Sequence, residues 1–406
     1  MKPKIRSITY SVNIMKLHQV VYQKKISSDI KKLKKQFQDN NIFVRTVRLN
    51  IVAIDSDVKP HHLLQQLNNL STFSKKTGIR WFNVSFNLLD IHGSSIKDIT
   101  KLSYEIIKTY PEAFVNFIIS YDRQINTAVM LELAQLILKV SRMSFNGYDN
   151  FRVGISCNIA PATPFFPFSY AKEDLSFSLA IEMAHSFKNI LSNLANKELV
   201  NFNNCVINEL SSNLKLIDNL SKNTNLNYQG MDISLAPFSD ENVSVVEILK
   251  LLGLDDIGAY GTLFLTSSLT NLLKHIIKIN DIKTVGFNGV MYSLLEDKEM
   301  CSSNNRKNLS LESILSYSAL CGCGLDMVPI PGNTLAEDIA AILLDVSAMA
   351  IRLNKPLGVR LLPIPAKLVN EFTDFNMDFL TDTRVLGVRS LHCDKTIFTK
   401  SNYSYL

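Results

Sequence analysis

The stretch Ser318–Asn333, SALCGCGLDMVPIPGN, decides the fold class expected of this chain. Its cysteines and glycines lead into the apolar run Gly324–Ile330, which predicts a strand buried on both faces. Thr334, with Glu337 three residues later, has the pattern of a capping box, and apolar residues at helical spacing follow. The stretch therefore predicts a cysteine loop, a buried strand, a tight turn and the start of a helix.

The same succession of strand and helix patterns recurs along the chain. Ten strands are predicted, near residues 8–12, 44–53, 81–86, 114–120, 152–157, 230–235, 285–290, 324–330, 357–362 and 384–388. Ser244 with Glu247 forms a second capping-box pattern after the sixth strand. This alternation predicts a parallel α/β barrel or a large doubly wound sheet. Because no long Gly/Ser/Pro linker interrupts it, residues 1–406 are expected to form a single α/β domain.

The composition and charge of the chain argue against several classes of function. With 46% hydrophobic and 20% charged residues, the chain has an ordinary globular composition, and no apolar run reaches membrane-spanning length. We expect a cytoplasmic protein with no membrane partner. The net charge is +6, but the lysines at 24–35 are not interleaved with aromatic residues, which argues against nucleic acid binding. The six cysteines form no CxxC pair, which favours free thiols in a reducing compartment.

Two loops after predicted strands carry candidate site residues. The loop NIAPATPFFPFSY, residues 158–170, contains Thr163, Phe165 and Phe166, and it either walls a pocket or forms a hydrophobic lid. In the second loop, Glu296 and Asp297 are adjacent, so their side chains are expected to point apart rather than form a carboxylate dyad.

The remaining candidate site residues are charged residues and cysteines that lie within apolar stretches of the sequence. An unpaired Asp326 inside an apolar strand would be costly, so it needs a partner, and Arg360 in a neighbouring strand is the natural one. Cys321 is interpreted either as a reactive thiol or as a buried structural cysteine. Cys321 and Cys323 have no second Cys or His pair nearby in sequence, so no metal site is predicted.

Longer segments carry a family resemblance. They are IRSIT, NIAPATPFFPFSY, SLAIEMA, DISLAPFSDENVSVVEILKLLG, GAYGTLFLTSSLT, GFNGVMYSLLED, YSALCGCGLDMVPIPGNT, ILLDVSAMAIRLNKPLGVRLLPIPAK and FNMDFLTDTRV. In these segments and their order the chain resembles the pyruvate formate-lyase-like family of unknown function (domain of unknown function 711, uncharacterised protein family 0210). The resemblance implies a ten-stranded α/β barrel like that of pyruvate formate-lyase and anaerobic ribonucleotide reductase. In those relatives a loop cysteine carries a thiyl radical, and Cys321 is the residue to compare. The resemblance supplies no reaction, and the cofactor stays unspecified.

The chain departs from the family pattern at several loop positions. Asn333 stands where an aspartate is usual, Ala366 where a glycine is usual and Ala171 where a histidine is expected. Apart from the family pattern, Arg384–Val388 is similar to the motif of glycyl radical enzymes around Gly387, but it lacks the aromatic residue, so the similarity is interpreted as a coincidence. Two hypotheses therefore stay open: an enzyme that acts on a small anionic metabolite through Cys321, and a non-catalytic ligand-sensing or structural member of the family.

The predicted site lies at the carboxyl ends of the strands. Cys321, Glu296 and Asp297 are the candidate catalytic residues. The helix start at Thr334, with the backbone around Gly332, is expected to hold an anionic group. The candidate substrate-binding residues are Thr163, Phe165, Phe166, Asp232, Asp326, Gly332, Asn333, Thr334 and Arg360. A small-molecule ligand is expected, and a homo-oligomer is left open.

Overall fold

The computed structural model describes residues 4–54, 60–91, 95–239, 243–390, 397–398 and 402–404. The strands in these ranges are β1 Lys4–Val12, β2 Val44–Ile51, β3 Trp81–Asn87, β4 Ala113–Tyr121, β5 Gln124–Asn126, β6 Val153–Cys157, β7 Ser176–Glu182, β8 Asn227–Asp232, β9 Gly324–Pro331, β10 Leu357–Ile364 and β11 Asn402–Ser404. The α-helices are α1 Val20–Asp39, α2 Pro60–Thr77, α3 Ser95–Thr109, α4 Met130–Ser141, α5 Ala184–Asn193, α6 Leu199–Lys222, α7 Val245–Leu251, α8 Thr262–Asn280, α9 Lys298–Asn305, α10 Leu311–Tyr317 and α11 Ala336–Arg352.

All described strands belong to one sheet, which alternates with helices along the chain. The strand order is β8-β7-β1-β2-β3-β4-β6-β10-β9, and the short β5 pairs with β4 and β11. Strands β1, β2, β3, β4 and β6 are parallel to one another. The parallel pairs β7–β8 and β9–β10 join this set in the opposite direction, with β7 on β1 and β10 on β6. The expected α/β class is therefore present, as a mixed rather than purely parallel sheet.

The predicted barrel closure is not confirmed. No continuous ladder joins β8 to β9, the two ends of the strand order among the described residues. The chain between them makes single parallel bridges, from residue 284 to 231 and from 290 to 235 on one side, and from 293 to 326 on the other. The sheet is therefore not closed by regular pairing.

Eight of the ten predicted strands are present, and two are wrong. At residues 285–290 the Asp232 carboxylate accepts hydrogen bonds from the backbone N–H groups of Phe287 (2.7 Å) and Asn288 (3.2 Å), which a ladder would otherwise use. At 384–388 the chain is attached to α9 instead, because the Arg384 guanidinium donates to Asn304. Strand β7 was not predicted, although SFSLAIE alternates apolar and polar residues as a half-buried strand does.

The two predicted capping boxes have different outcomes. Ser244 precedes α7 and accepts a hydrogen bond from the Glu247 N–H (3.0 Å), as predicted. Thr334 does not cap α11, because its hydroxyl donates to the Pro331 carbonyl oxygen (2.7 Å) and the helix begins after Leu335. The sequence has the residues of a capping box, but the threonine hydroxyl bonds to the preceding turn instead of to the N–H groups of the helix.

The loop at residues 158–170 packs on the sheet and is largely buried. Thr9 of β1 donates to the Pro164 carbonyl oxygen (3.2 Å), and Ser85 of β3 donates to that of Ser169 (2.6 Å). Glycines open the space for the loop's rings: a Cβ at Gly154 would lie 2.5 Å from Pro167, and one at Gly358 would lie 2.6 Å from Phe168. The aromatic loop is thus held on the sheet by hydroxyl groups of the strands, and glycines of the strands leave room for its rings.

This close packing predicts a large effect of one methyl group. We expect Gly358→Ala to lower the free energy of unfolding by about 1–3 kcal/mol, because the new Cβ overlaps the Phe168 ring. Gly387→Ala is the matched control, since its Cβ would meet Val369 at an ordinary 3.4 Å. Thermal unfolding of both variants beside the wild type measures the difference. Equal melting temperatures for the two variants would show that the loop shifts at no cost.

Candidate functional site

A cavity of about 310 Å³ lies beside the amino ends of β1 to β4. Five arginines line it, Arg6, Arg45, Arg48, Arg80 and Arg360, and we call it the arginine cavity. Its volume is at the lower end of the range of small-molecule sites. The predicted location was the carboxyl ends of the strands. The antiparallel junctions β1–β7 and β6–β10 explain the difference, because they place strand ends of both kinds on the same side of the sheet.

Aromatic rings form the rest of the wall. They are Trp81, Phe114, Phe151, Phe165, Phe166, Phe168, Phe238 and Phe379. Phe114, Phe151 and Phe166 also belong to a separate apolar cluster, which supports the wall from behind. The loop at 158–170 therefore walls a cavity, the first of the two alternatives that its sequence left open. Trp81 is the only tryptophan of the chain.

Two of the five arginines are paired with carboxylates. Arg360 donates to both oxygens of Asp326 (2.7 and 2.9 Å) and to Glu296 (3.3 Å), so the predicted Asp326–Arg360 ion pair is confirmed. Arg45 donates to Glu182 (3.0 Å). Burial raises the pKa of Asp326, and the Arg360 charge opposes that effect. Burial acts to lower the pKa of Arg360, but Asp326 and Glu296 outweigh it and raise the pKa.

Arg6 and Arg48 have no carboxylate partner among the described residues. Arg48 is 9% exposed, and its Nε is buried without a hydrogen-bond partner in that part of the chain. Its guanidinium lies 5.4 Å from the ring centres of both Trp81 and Phe166. Arg6 donates to the Pro237 carbonyl oxygen (3.1 Å). Burial is the main cause that lowers the pKa of both arginines, and the Glu296 charge opposes it at both. The neighbouring Arg6 charge adds to the effect at Arg48.

Glu296 is the partly exposed carboxylate of the arginine cavity. It follows the 284–293 segment in a short 3-10 helix, Leu294–Glu296. Its Oε2 accepts hydrogen bonds from the Ser293 hydroxyl (2.5 Å) and from Arg360 (3.3 Å), and no described donor bonds its Oε1. Glu296 therefore presents an oxygen to the cavity beside a buried ion pair.

Asp297, the neighbouring candidate, points away from the cavity, as the adjacency of the two residues predicted. Its Oδ1 accepts from the backbone N–H groups of Glu299 and Met300 at the start of α9 (3.1 Å each). Its Oδ2 accepts from the N–H of Val245 at the start of α7 (2.8 Å). Asp297 thus caps two helices at once. Its buried oxygens are occupied, and a catalytic role for it stays a prediction.

Asp232 is likewise a buried tether. Besides the two N–H groups of the 284–293 segment, it accepts from the Ser234 hydroxyl (2.5 Å). Burial raises the pKa of Asp232, against these hydrogen bonds. It does not line the arginine cavity, and neither does Thr163, whose hydroxyl donates to the Ala160 carbonyl oxygen (3.1 Å).

Cys321 lies outside the arginine cavity and is 1% exposed. Its hydrogen bond with Cys323 is the main cause that lowers the pKa of the Cys321 thiol to about 6, and the Lys355 charge adds to the effect against burial. Lys355 also donates to the carbonyl oxygens of Ser318 (2.8 Å) and Ala319 (3.0 Å). The thiol thus has a lowered pKa but is enclosed, and its proposed catalytic role stays a prediction.

The predicted anion site at Gly332, Asn333 and Thr334 is separated from the arginine cavity. These residues follow the carboxyl end of β9, whereas Asp326 is its third residue. Six residues of extended strand correspond to ~20 Å. The structure therefore does not bring the predicted glycine turn together with Asp326, Arg360 and Glu296.

Sequence reasoning missed four of the five cavity arginines. The missed signal lies in VRTVRLNI, the β2 sequence, where Arg45 and Arg48 interrupt an otherwise β-favouring run. A charge inside such a run needs a partner or a function, which is the argument that did identify Asp326. Arg6 within IRSIT is a third case of the same pattern.

Residues 1–377 match the model of one protein family, described as Uncharacterised ACR (DUF711). The chain belongs to the DUF711 family. The resemblance to that family is thereby confirmed, whereas the relation to pyruvate formate-lyase stays a prediction. Among the described residues, no helix is long and apolar enough to cross a membrane, and no group of His, Cys, Asp and Glu has the arrangement of a metal site.

Curated relatives of this DUF711 protein carry the name UPF0210 protein. One from Pyrobaculum arsenaticum is 25% identical over 255 residues, which are 61% of this chain and 57% of that protein. One from Lactobacillus helveticus is 36% identical over 159 residues, which are 38% of this chain and 35% of that protein. The chain thus spans about half the length, or less, of the curated relatives it matches.

Proposed function

We propose that this protein binds a small organic anion with an apolar, planar body in the arginine cavity. Arg48, which is buried and has no ion-pair partner among the described residues, carries the proposal. A guanidinium that is removed from water without a counter-charge is costly, and a bound carboxylate or phosphate would supply that charge. The phenylalanines and Trp81 around it suit the flat, apolar part of such a ligand.

The charge balance of the cavity supports an anion over a neutral ligand. Five guanidinium groups line it against two carboxylates, Glu296 and Asp326. Glu182 neutralises Arg45 from outside the lining, and Asp326 occupies Arg360. The other cavity carboxylate, Glu296, offsets one of the remaining charges. A positive excess is therefore left at Arg6, Arg48 and the exposed Arg80.

Within this proposal, Glu296 is the group that would carry a proton. It is the cavity carboxylate with an oxygen left to the ligand, and the Arg360–Asp326 pair holds it in place. An enzyme that acts on a small anionic metabolite remains our hypothesis for catalysis, with Glu296 as acid or base. Because Cys321 lies outside the arginine cavity, a catalytic role for it would require a separate ligand site.

The proposal includes closure of the sheet into a barrel-like form at the segment 284–293. The 284–293 segment bridges singly to the extension of β8 and to β9, and it leads directly to Glu296. Closure there would shield one wall of the cavity from water and strengthen the pairing of an anion with Arg48.

Benzoate and its uncharged analogue benzamide provide the test. We expect benzoate to change the fluorescence of Trp81 saturably, because the tryptophan lines the cavity. Benzamide should bind at least about tenfold more weakly, since ~1.4 kcal/mol is the lower end for a hydrogen bond to a charged group. Fluorescence titration and calorimetry measure both affinities. Equal binding of the two compounds, or binding of neither, would contradict the proposed anion site.

A further inference from the structure

A second depression adjoins the arginine cavity. It has a volume of about 960 Å³ and lies between α1, the amino end of β2 and the carboxyl end of α2. Its charged lining residues are Lys31, Lys34, Lys35, Arg45 and Arg80, with Asp39 as the one carboxylate. We call it the basic groove.

The basic groove and the arginine cavity form adjoining parts of one surface. Arg45, Thr46 and Arg80 line both of them. A molecule that placed one end against Arg48 would therefore extend past these shared residues into the groove. Together the two volumes exceed what a compact acid such as benzoate would fill.

The lysines of the groove have no ion-pair partners in the part of the chain that the structure describes. Lys31, Lys34 and Lys35 stand three and four residues apart, so they share one face of α1. None of the three forms an ion pair with a described residue, whereas Lys25 on the same helix pairs with Asp29 (2.8 Å). They also precede the last turn of α1, which contains no basic residue, so they do not serve to offset the helix dipole.

We propose that the basic groove binds a phosphate group carried by the ligand of the arginine cavity. Three ammonium groups and the Arg80 guanidinium around one groove suit a doubly charged phosphate better than a single carboxylate, whereas Arg45 is already paired with Glu182. The ligand class is thus an organic acid with a planar body and a phosphate ester at its far end. This inference rests on the proposed function, because it takes the acid end to lie at Arg48.

Two matched compounds test the groove: 4-hydroxybenzoate and its phosphate ester, 4-phosphonooxybenzoate. For the wild type we expect the ester to bind about ten- to a hundredfold more tightly, from several exposed charge contacts of ~0.2–1 kcal/mol each. Added salt should reduce this advantage. The variant Lys31→Gln/Lys34→Gln/Lys35→Gln should lose the advantage but keep the affinity for 4-hydroxybenzoate.

The control variant removes the same number of charges elsewhere. Lys24→Gln/Lys32→Gln/Lys108→Gln changes exposed lysines outside the groove and should retain the ester's advantage. If both triple variants behave alike, the groove inference is overturned, and binding of 4-hydroxybenzoate still supports the proposed function. If the ester binds through the groove lysines but 4-hydroxybenzoate does not bind, the proposed anion site fails instead. Tight binding of a single-stranded oligonucleotide without binding of the ester would overturn the small-molecule assignment.

Discussion

Replacing Arg360 with glutamine should lower the free energy of unfolding by about 3–5 kcal/mol, because it leaves Asp326 charged, buried and unpaired. Asp326 is 2% exposed, and the Arg360 guanidinium donates a hydrogen bond to each of its two oxygens. A loss of this size is a large part of the total stability of an ordinary domain. Urea unfolding followed by Trp81 fluorescence measures it.

An exposed ion pair provides the matched control. Arg389 contacts Glu312 at 3.2 Å, but these side chains are 82% and 45% exposed. Arg389→Gln should therefore cost less than about 1 kcal/mol. A double variant with Asp326→Asn and Arg360→Gln should recover part of the loss, since no buried charge then remains at this pair. Similar small losses for Arg360→Gln and Arg389→Gln would refute this account.

The pH dependence of the Arg360→Gln variant has a defined sign. Burial already raises the pKa of Asp326, and the variant removes the charge that opposes this effect. The folded-state pKa then lies further above the unfolded value. A stability contribution from the bound proton is present below the unfolded pKa and is lost as pH rises through the folded pKa. The deficit relative to wild type should therefore be smallest in acid and grow toward neutral pH.

Two of the buried strands were predictable from sequence because each is a largely apolar run. GLDMVPIP is buried throughout β9, and AFVNFIIS of β4 behaves in the same way. Strand β7 has a local strand pattern that was overlooked, whereas its antiparallel direction on β1 depends on pairing between distant segments and has no local signal. The strand predicted at 285–290 does not form because a carboxylate distant in sequence, that of Asp232, accepts hydrogen bonds from the N–H groups of this segment.

The candidate site was predictable where a charge stood out against apolar sequence and where a loop followed a predicted strand, as for Phe165 and Phe166. Asp326 and Arg360 were identified in the first way, and Glu296 through its loop position. The arginine cavity itself is formed by residues as distant as Arg6 and Phe379, and no local motif indicates that they meet. The glycine turn after β9 has the sequence of an anion site, but strand length places it far from the cavity.

Arg48, which lacks a carboxylate partner in the described part of the chain, leads to a prediction in which stability and binding change in opposite directions. We expect Arg48→Met to raise the free energy of unfolding by about 1–3 kcal/mol, because an apolar chain of similar length replaces a buried charge. Benzoate affinity should fall at least about tenfold, from loss of a charged hydrogen-bond donor. Urea unfolding and fluorescence titration of the same variant measure both effects.

Arg48→Lys separates the role of charge from that of shape at this position. Lysine keeps the positive charge, so the variant should keep most of the instability and part of the benzoate affinity, without the planar, two-pronged contact of a guanidinium. If Arg48→Met were instead less stable than wild type, Arg48 would act as a structural cation held between Trp81 and Phe166. A gain in stability with loss of binding would mean that the protein retains a destabilising charge for the sake of its ligand.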